Sequence, residues 1–128
     1  MRVGPLLFRV TAIVVFLQLL LGGLLTFDFV SAAPHIILGF LVFILAIATM
    51  IATFVSKPSF RPMKVMSALL VVLILAQIIL GFGALGTGSA AIAWIHFVNA
   101  LAIYGIAVSG AFIAMRWKYA AEPMSTAH

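Results

Sequence analysis

The chain contains no cysteine and only two acidic residues, Asp28 and Glu122. The lack of cysteine excludes disulfides, thiolate metal centres, iron–sulfur clusters and covalent heme attachment through a C-x-x-C-H motif. The lack of acids leaves no carboxylate pair for general acid–base work, and Asp28 falls only at the edge of an apolar run and Glu122 outside one. Charge of any sign is scarce, at 7% of 128 residues, where soluble domains carry roughly a quarter.

What the chain has in abundance is hydrophobicity, 66% of its residues. Four apolar segments stand out, at about 6–29, 33–55, 65–85 and 90–116. Each has the roughly 20 residues needed to cross the hydrocarbon core as a helix. The expected fold is an all-α membrane protein, one domain over residues 1–128, forming a four-transmembrane-helix up-down bundle in a lipid bilayer. Turn chemistry marks the breaks: Ser31 and Pro34 open the second helix, Pro58 and Pro62 bracket the second loop, and Gly86-Thr87-Gly88-Ser89 forms the third. Ser89 is placed to N-cap the fourth helix.

The seven basic residues sort to one side. Arg2 and Arg9 precede or open helix 1, Lys57, Arg61 and Lys64 fill the middle loop, and Arg116 and Lys118 follow helix 4. The positive-inside rule then puts both termini and the middle loop in the cytoplasm, as expected of a multi-pass plasma-membrane protein. The net charge of +5 therefore reads as an orientation signal and not as a nucleic-acid footprint. A competing reading takes Arg2, the apolar run and Val30-Ser31-Ala32 as a signal peptide with a small-residue cleavage site. The run is long for that role.

The segments repeat. Gln18-Leu19-Leu20-Leu21-Gly22 returns as Gln77-Ile78-Ile79-Leu80-Gly81, each motif followed by a short loop and a helix with an early histidine. The separation is 17 residues from Gln18 to His35 and 19 from Gln77 to His96. Glutamine is uncommon at membrane depth because its amide must be satisfied, so its recurrence in register predicts two copies of one helical hairpin, related by an axis along the membrane normal.

His35 and His96 are the candidate metal ligands. In an up-down bundle, helices 2 and 4 are diagonal. Neighbouring axes about 8–10 Å apart make that diagonal about 12–14 Å, too far for direct imidazole contact and suited to a histidine–iron–histidine unit. Gly22, Gly23, Gly81 and Gly83 leave room at that depth for a planar group or for close helix contact. Asn99, three residues past His96, is placed to satisfy a propionate, a water or a backbone carbonyl. Gln18 and Gln77 complete the candidate cofactor-binding set. Phe40, Phe82 and Phe97 read as lipid or core packing before pocket walls. Zinc wants about four ligands, and no Cys, Asp or Glu lies near the pair. Met50, Met66 and Met115 lie at the other end of the spans, which disfavours copper.

At these residues the chain resembles one half of a heme A synthase, a family of two four-helix halves with a histidine in the second and fourth helix of each. The matching elements are Gln18-x-x-Leu21-Gly22 with His35 and Gln77-x-x-Leu80-Gly81 with His96, over about residues 8–116. The resemblance implies heme ligation by the two histidines, and a homodimer would rebuild eight helices. The family's catalytic Glu, three residues before the first histidine, is Ala32 here, and its outer-loop cysteines are absent. The expectation is thus a b-type heme (heme b, iron) between His35 and His96, serving electron transfer with a quinol or within a larger respiratory complex. A heme-modifying enzyme and a purely structural subunit or assembly factor are the alternatives. A proton-coupled transporter fits less well, with no acid in a span.

Overall fold

The computed structural model describes residues 3–56 and 61–120, with side chains to Arg116. Four helices run consecutively: α1 Val3–Thr26, α2 Ala32–Val55, α3 Arg61–Thr87 and α4 Ala90–Ala120. All four are long and apolar enough to cross a membrane, so the chain is a multi-pass membrane protein. α1 packs on α2 and α4, and α3 packs on the same two, leaving α1/α3 and α2/α4 as the diagonals of a square bundle. One end carries the α1–α2 and α3–α4 turns and is called here the hairpin end. The other carries the start of α1, the α2–α3 connection and the far end of α4, and is called the terminal end.

α1 and α3 differ at both ends from the spans expected from hydropathy, and α4 runs on to Ala120 where 116 was expected. α1 starts at Val3 and stops at Thr26, not over 6–29. Pro5 sits in its first turn, where a missing N–H costs nothing. Its C-terminus is a Schellman closure: Asp28 takes φ 59°, its N–H bonds to the Leu25 carbonyl at 3.1 Å, and the Phe29 N–H reaches Leu24 at 2.9 Å. α3 spans Arg61–Thr87, not 65–85, because Pro62 is the second residue of the helix and not a loop bracket. α3 ends at Gly88, φ 64°, whose N–H bonds to the Ala84 carbonyl. Ser89 caps α4 as expected, its Oγ accepting from the Ile92 N–H at 3.4 Å. The Ser31 hydroxyl makes no cap bond. Arg2, Lys57, Pro58 and Glu122 lie outside the described residues, as does the Lys118 side chain.

The core follows a heptad-like stripe on each helix. Gly4, Phe8, Thr11 and Val15 are buried on α1, Val42, Ala46, Thr49 and Thr53 on α2, and Met63, Ser67, Leu70 and Ile74 on α3. Ile103, Ala107, Gly110 and Ala114 carry the stripe on α4. Every buried position among the described residues lies from the middle of the bundle to the terminal end. There the packing is closed by Phe8, which lies so tightly against Gly110 that a Cβ at that glycine would collide with the ring. Two buried hydroxyl pairs tie neighbouring helices, Thr11 with Thr49 at 3.1 Å and Thr53 with Ser67 at 2.8 Å. Their hydroxyls also reach helix carbonyls, Thr49 to Leu45 and Ser67 to Lys64, so none of these four hydroxyls is left bare in an apolar medium.

Candidate functional site

The same four stripes continue to the hairpin end, and there they change character. One turn past Val15 the α1 stripe meets Gln18, then Gly22. One turn past Ile74 the α3 stripe meets Gln77, then Gly81. Ahead of Val42 on α2 lie Gly39 and His35, and ahead of Ile103 on α4 lie Ala100 and His96. Core positions are thus filled by two amides, two imidazoles, three glycines and an alanine. Side chains that cannot fill an apolar interior leave it open. A cavity of about 780 Å³ results, lined by Gln18, Gly22, His35, Gln77, Gly81 and His96 among others. That volume lies in the range of about 300–1,000 Å³ usual for cofactor and ligand sites.

The histidines reach into this space from the diagonal helices. Their ring centroids are 6.2 Å apart with the planes at 63°, an edge-to-face approach within aromatic contact range and closer than the diagonal expected from helix spacing, and no hydrogen bond joins them. Gly22 and Gly81 serve the imidazoles directly. A Cβ at Gly22 would stand 3.2 Å from His35 Cε1, and one at Gly81 would stand 3.0 Å from His96 Cε1. The expected role for these glycines was room for a planar group or close helix contact; in the structure the space they leave is taken up by the imidazole edges. Gly23 has nothing within 4 Å of such a Cβ, and Gly83 meets only Ile92 at 3.5 Å.

Each glutamine belongs to a different arrangement. Gln18 Nε2 donates to the His35 backbone carbonyl at 2.8 Å and lies 3.4 Å from the His35 Nε2. Gln77 offers its backbone carbonyl to His96 Nδ1 at 3.1 Å. A carbonyl only accepts, so Nδ1 carries the proton and the His96 Nε2 keeps its lone pair. Asn99 does not line the cavity. It donates from Nδ2 to the Gln77 Oε1 at 2.8 Å and to the Leu73 carbonyl at 3.0 Å. Of the three partners considered from sequence, it takes a backbone carbonyl, and it adds the Gln77 side chain. Phe40, Phe82 and Phe97 all border the cavity while remaining about half exposed to the bilayer. Trp94 stacks on Phe97 with centroids 5.6 Å apart.

Among the described residues, two buried side-chain polar atoms have no partner, Gln18 Oε1 and His35 Nδ1. Such groups are costly in an apolar medium, and both belong to the residues that face the cavity. Among the described residues no group of three or more His, Cys, Asp or Glu gathers, so a metal held by protein side chains alone has too few donors here. Two imidazoles suit an iron whose other positions are filled by a macrocycle. Gly39, one turn inward of His35, makes room for Gln18: a Cβ there would lie 3.1 Å from Gln18 Nε2. Comparisons with protein-family models, with curated proteins and with solved structures return no match.

Proposed function

We propose that the chain is a membrane-bound heme protein that carries a b-type heme between His35 and His96 and passes single electrons. The observation that carries this reading is the pair of imidazoles on diagonal helices, 6.2 Å between ring centroids, at the edge of the cavity. Two metal–nitrogen bonds of about 2 Å and two ring radii of about 1 Å give a centroid separation of about 6 Å for one shared iron. The unpartnered His35 Nδ1 and Gln18 Oε1 add that the site as built wants a further polar partner.

Bound there, an iron porphyrin would supply reversible one-electron chemistry. The residues would hold it as follows. His96 presents an unprotonated Nε2 because Gln77 fixes its tautomer. Gly22 and Gly81 let the imidazoles sit against the backbones of α1 and α3. Phe40, Phe82 and Phe97 exclude water from the cavity mouth. Ala32, at the start of α2, provides no acid or base beside His35, so the reading stops at binding and electron transfer. The basic residues at the terminal end, with Arg9, Arg61, Lys64 and Arg116 among them, put both termini on the cytoplasmic side of a plasma membrane in this reading. A quinol or a larger respiratory complex is the partner class that suits a one-electron carrier in the bilayer.

The test is absorbance of the detergent-purified protein, with a pyridine hemochrome spectrum to type the heme. A Soret band that His96→Ala abolishes is the expected result. No Soret band in the parent protein, or one untouched by both His35→Ala and His96→Ala, would sink the proposal.

A further inference from the structure

The two hairpins match at Gln18/Gln77, Gly22/Gly81 and His35/His96, and they part at the next turn. Three and four residues beyond the histidine, α2 has Leu38 and Gly39 while α4 has Asn99 and Ala100. The consequences differ in kind. On α4, Asn99 holds the Gln77 side chain at 2.8 Å and the α3 backbone at Leu73, and the Gln77 carbonyl holds the imidazole by Nδ1. The ring is set in one tautomer and backed by an anchored residue, the arrangement that orients a metal-ligating histidine.

On α2, Leu38 offers no such donor. Gln18 slides into the space over Gly39 and gives one amide hydrogen to the His35 main chain at 2.8 Å, its other facing the His35 ring Nε2 at 3.4 Å. The carbonyl there admits only a donor, so this amide orientation is fixed by chemistry. The His35 Nδ1 is left with no acceptor, and the Gln18 Oε1 with no donor. Nothing in the α1–α2 hairpin holds the His35 ring by its Nδ1.

We propose that the two ligands are unequal: His96 is the fixed ligand and His35 the exchangeable one, so that a small neutral diatomic ligand enters on the His35 side. This rests on the heme reading above. The exchange breaks one dative bond, from the His35 imidazole, and forms one from the incoming molecule, with no electron or proton transferred. Asn99 and Gln77 are positioning residues, acting through His96. The site would then sense or bind a gas as well as relay electrons.

Carbon monoxide added to the dithionite-reduced, full-length protein in detergent is the probe. The expected results are a shifted Soret band in the parent, heme retained by His35→Ala with at least tenfold tighter carbon monoxide binding, and heme lost from His96→Ala. Leu38→Asn gives α2 the residue that α4 has and offers a donor to the Gln18 Oε1; it should slow carbon monoxide binding at least tenfold without changing heme content. A heme spectrum indifferent to carbon monoxide overturns the exchange while leaving the heme reading intact. So does equal loss of heme from both histidine variants. A parent protein with no Soret band overturns the heme reading and the exchange together.

Discussion

The terminal half and the hairpin half of this bundle are built on the same four stripes and do opposite things with them. In the terminal half the stripe residues are mainly Phe, Met, Leu, Ile, Val, Ala, Ser and Thr, with Gly4 and Gly110, and they close on one another: Phe8, Leu70, Thr11, Ala46, Thr49 and Ser67 are fully buried. In the hairpin half the stripe residues are Gln, His, Gly and Ala100, and among the described residues none is buried to that degree. Lipid gives helices no hydrophobic reason to associate, so packing and interhelical hydrogen bonds must hold a membrane bundle. The terminal half supplies the close packing, and the hairpin half, tied within each hairpin by the hydrogen bonds of Gln18, Gln77 and Asn99, stays open between the hairpins. A cavity between four helices needs this division, because a bundle loose at both ends has nothing to fix the distance across it.

The largest test of that division is Gly110→Val. The new side chain meets Phe8 and should cost about 1–3 kcal/mol by overpacking, read as a lower midpoint in thermal or denaturant unfolding in detergent. The protein that remains folded should keep the parent heme spectrum. An altered spectrum at unchanged stability would mean the two halves are not separable.

Gly81→Val is the converse. It crowds His96 Cε1 and should lower heme content about tenfold, equivalent to about 1.4 kcal/mol in binding, with little change in the unfolding midpoint of the heme-free protein. A heme content equal to the parent's would show that the imidazole edge has slack at this glycine. Thr11→Val removes the Thr11–Thr49 pair and should cost about 0.6 kcal/mol, the usual scale for an interhelical hydrogen bond in a membrane. Its readout is again stability, with no spectral change. The smallest effect is expected from Gly39→Ala, which presses on Gln18 Nε2 and should lengthen its bond to the His35 carbonyl. The amide stretch of that carbonyl, isotopically labelled, would move if so, and an unmoved band would show that Gln18 shifts as a whole.

Much of this was legible before any coordinates. The spans followed from length and apolar content, and the capping role of Ser89 from its place before α4. The repeat of Gln, Gly and His pointed to a shared site because those residue types are rare and costly at membrane depth. The misplaced ends of α1 and α3 have local causes. Phe27 and Phe29 extend the apolar run past the Asp28 turn, and Pro62 looks like a breaker although the first helical turn tolerates it. The contact of Gly39 with Gln18 and the Asn99–Gln77 bond were not readable, because they depend on which faces of α1 and α2, or of α3 and α4, meet.

The sequence by itself determined the four membrane-crossing helices, their connection order and the pairing of a glutamine motif with a histidine in each half. Hydropathy and turn residues act locally, over one helix at a time. Only the tertiary structure decided that the histidines stand 6.2 Å apart, that Gly22 and Gly81 back them, and that His96 is held at Nδ1 while His35 meets Gln18 at Nε2 and leaves Nδ1 unpartnered. Those facts depend on how far two helices rotate and approach, and in a bilayer that is set by side-chain packing at the far end of the bundle. Phe8 against Gly110 and the buried hydroxyl pairs carry that packing.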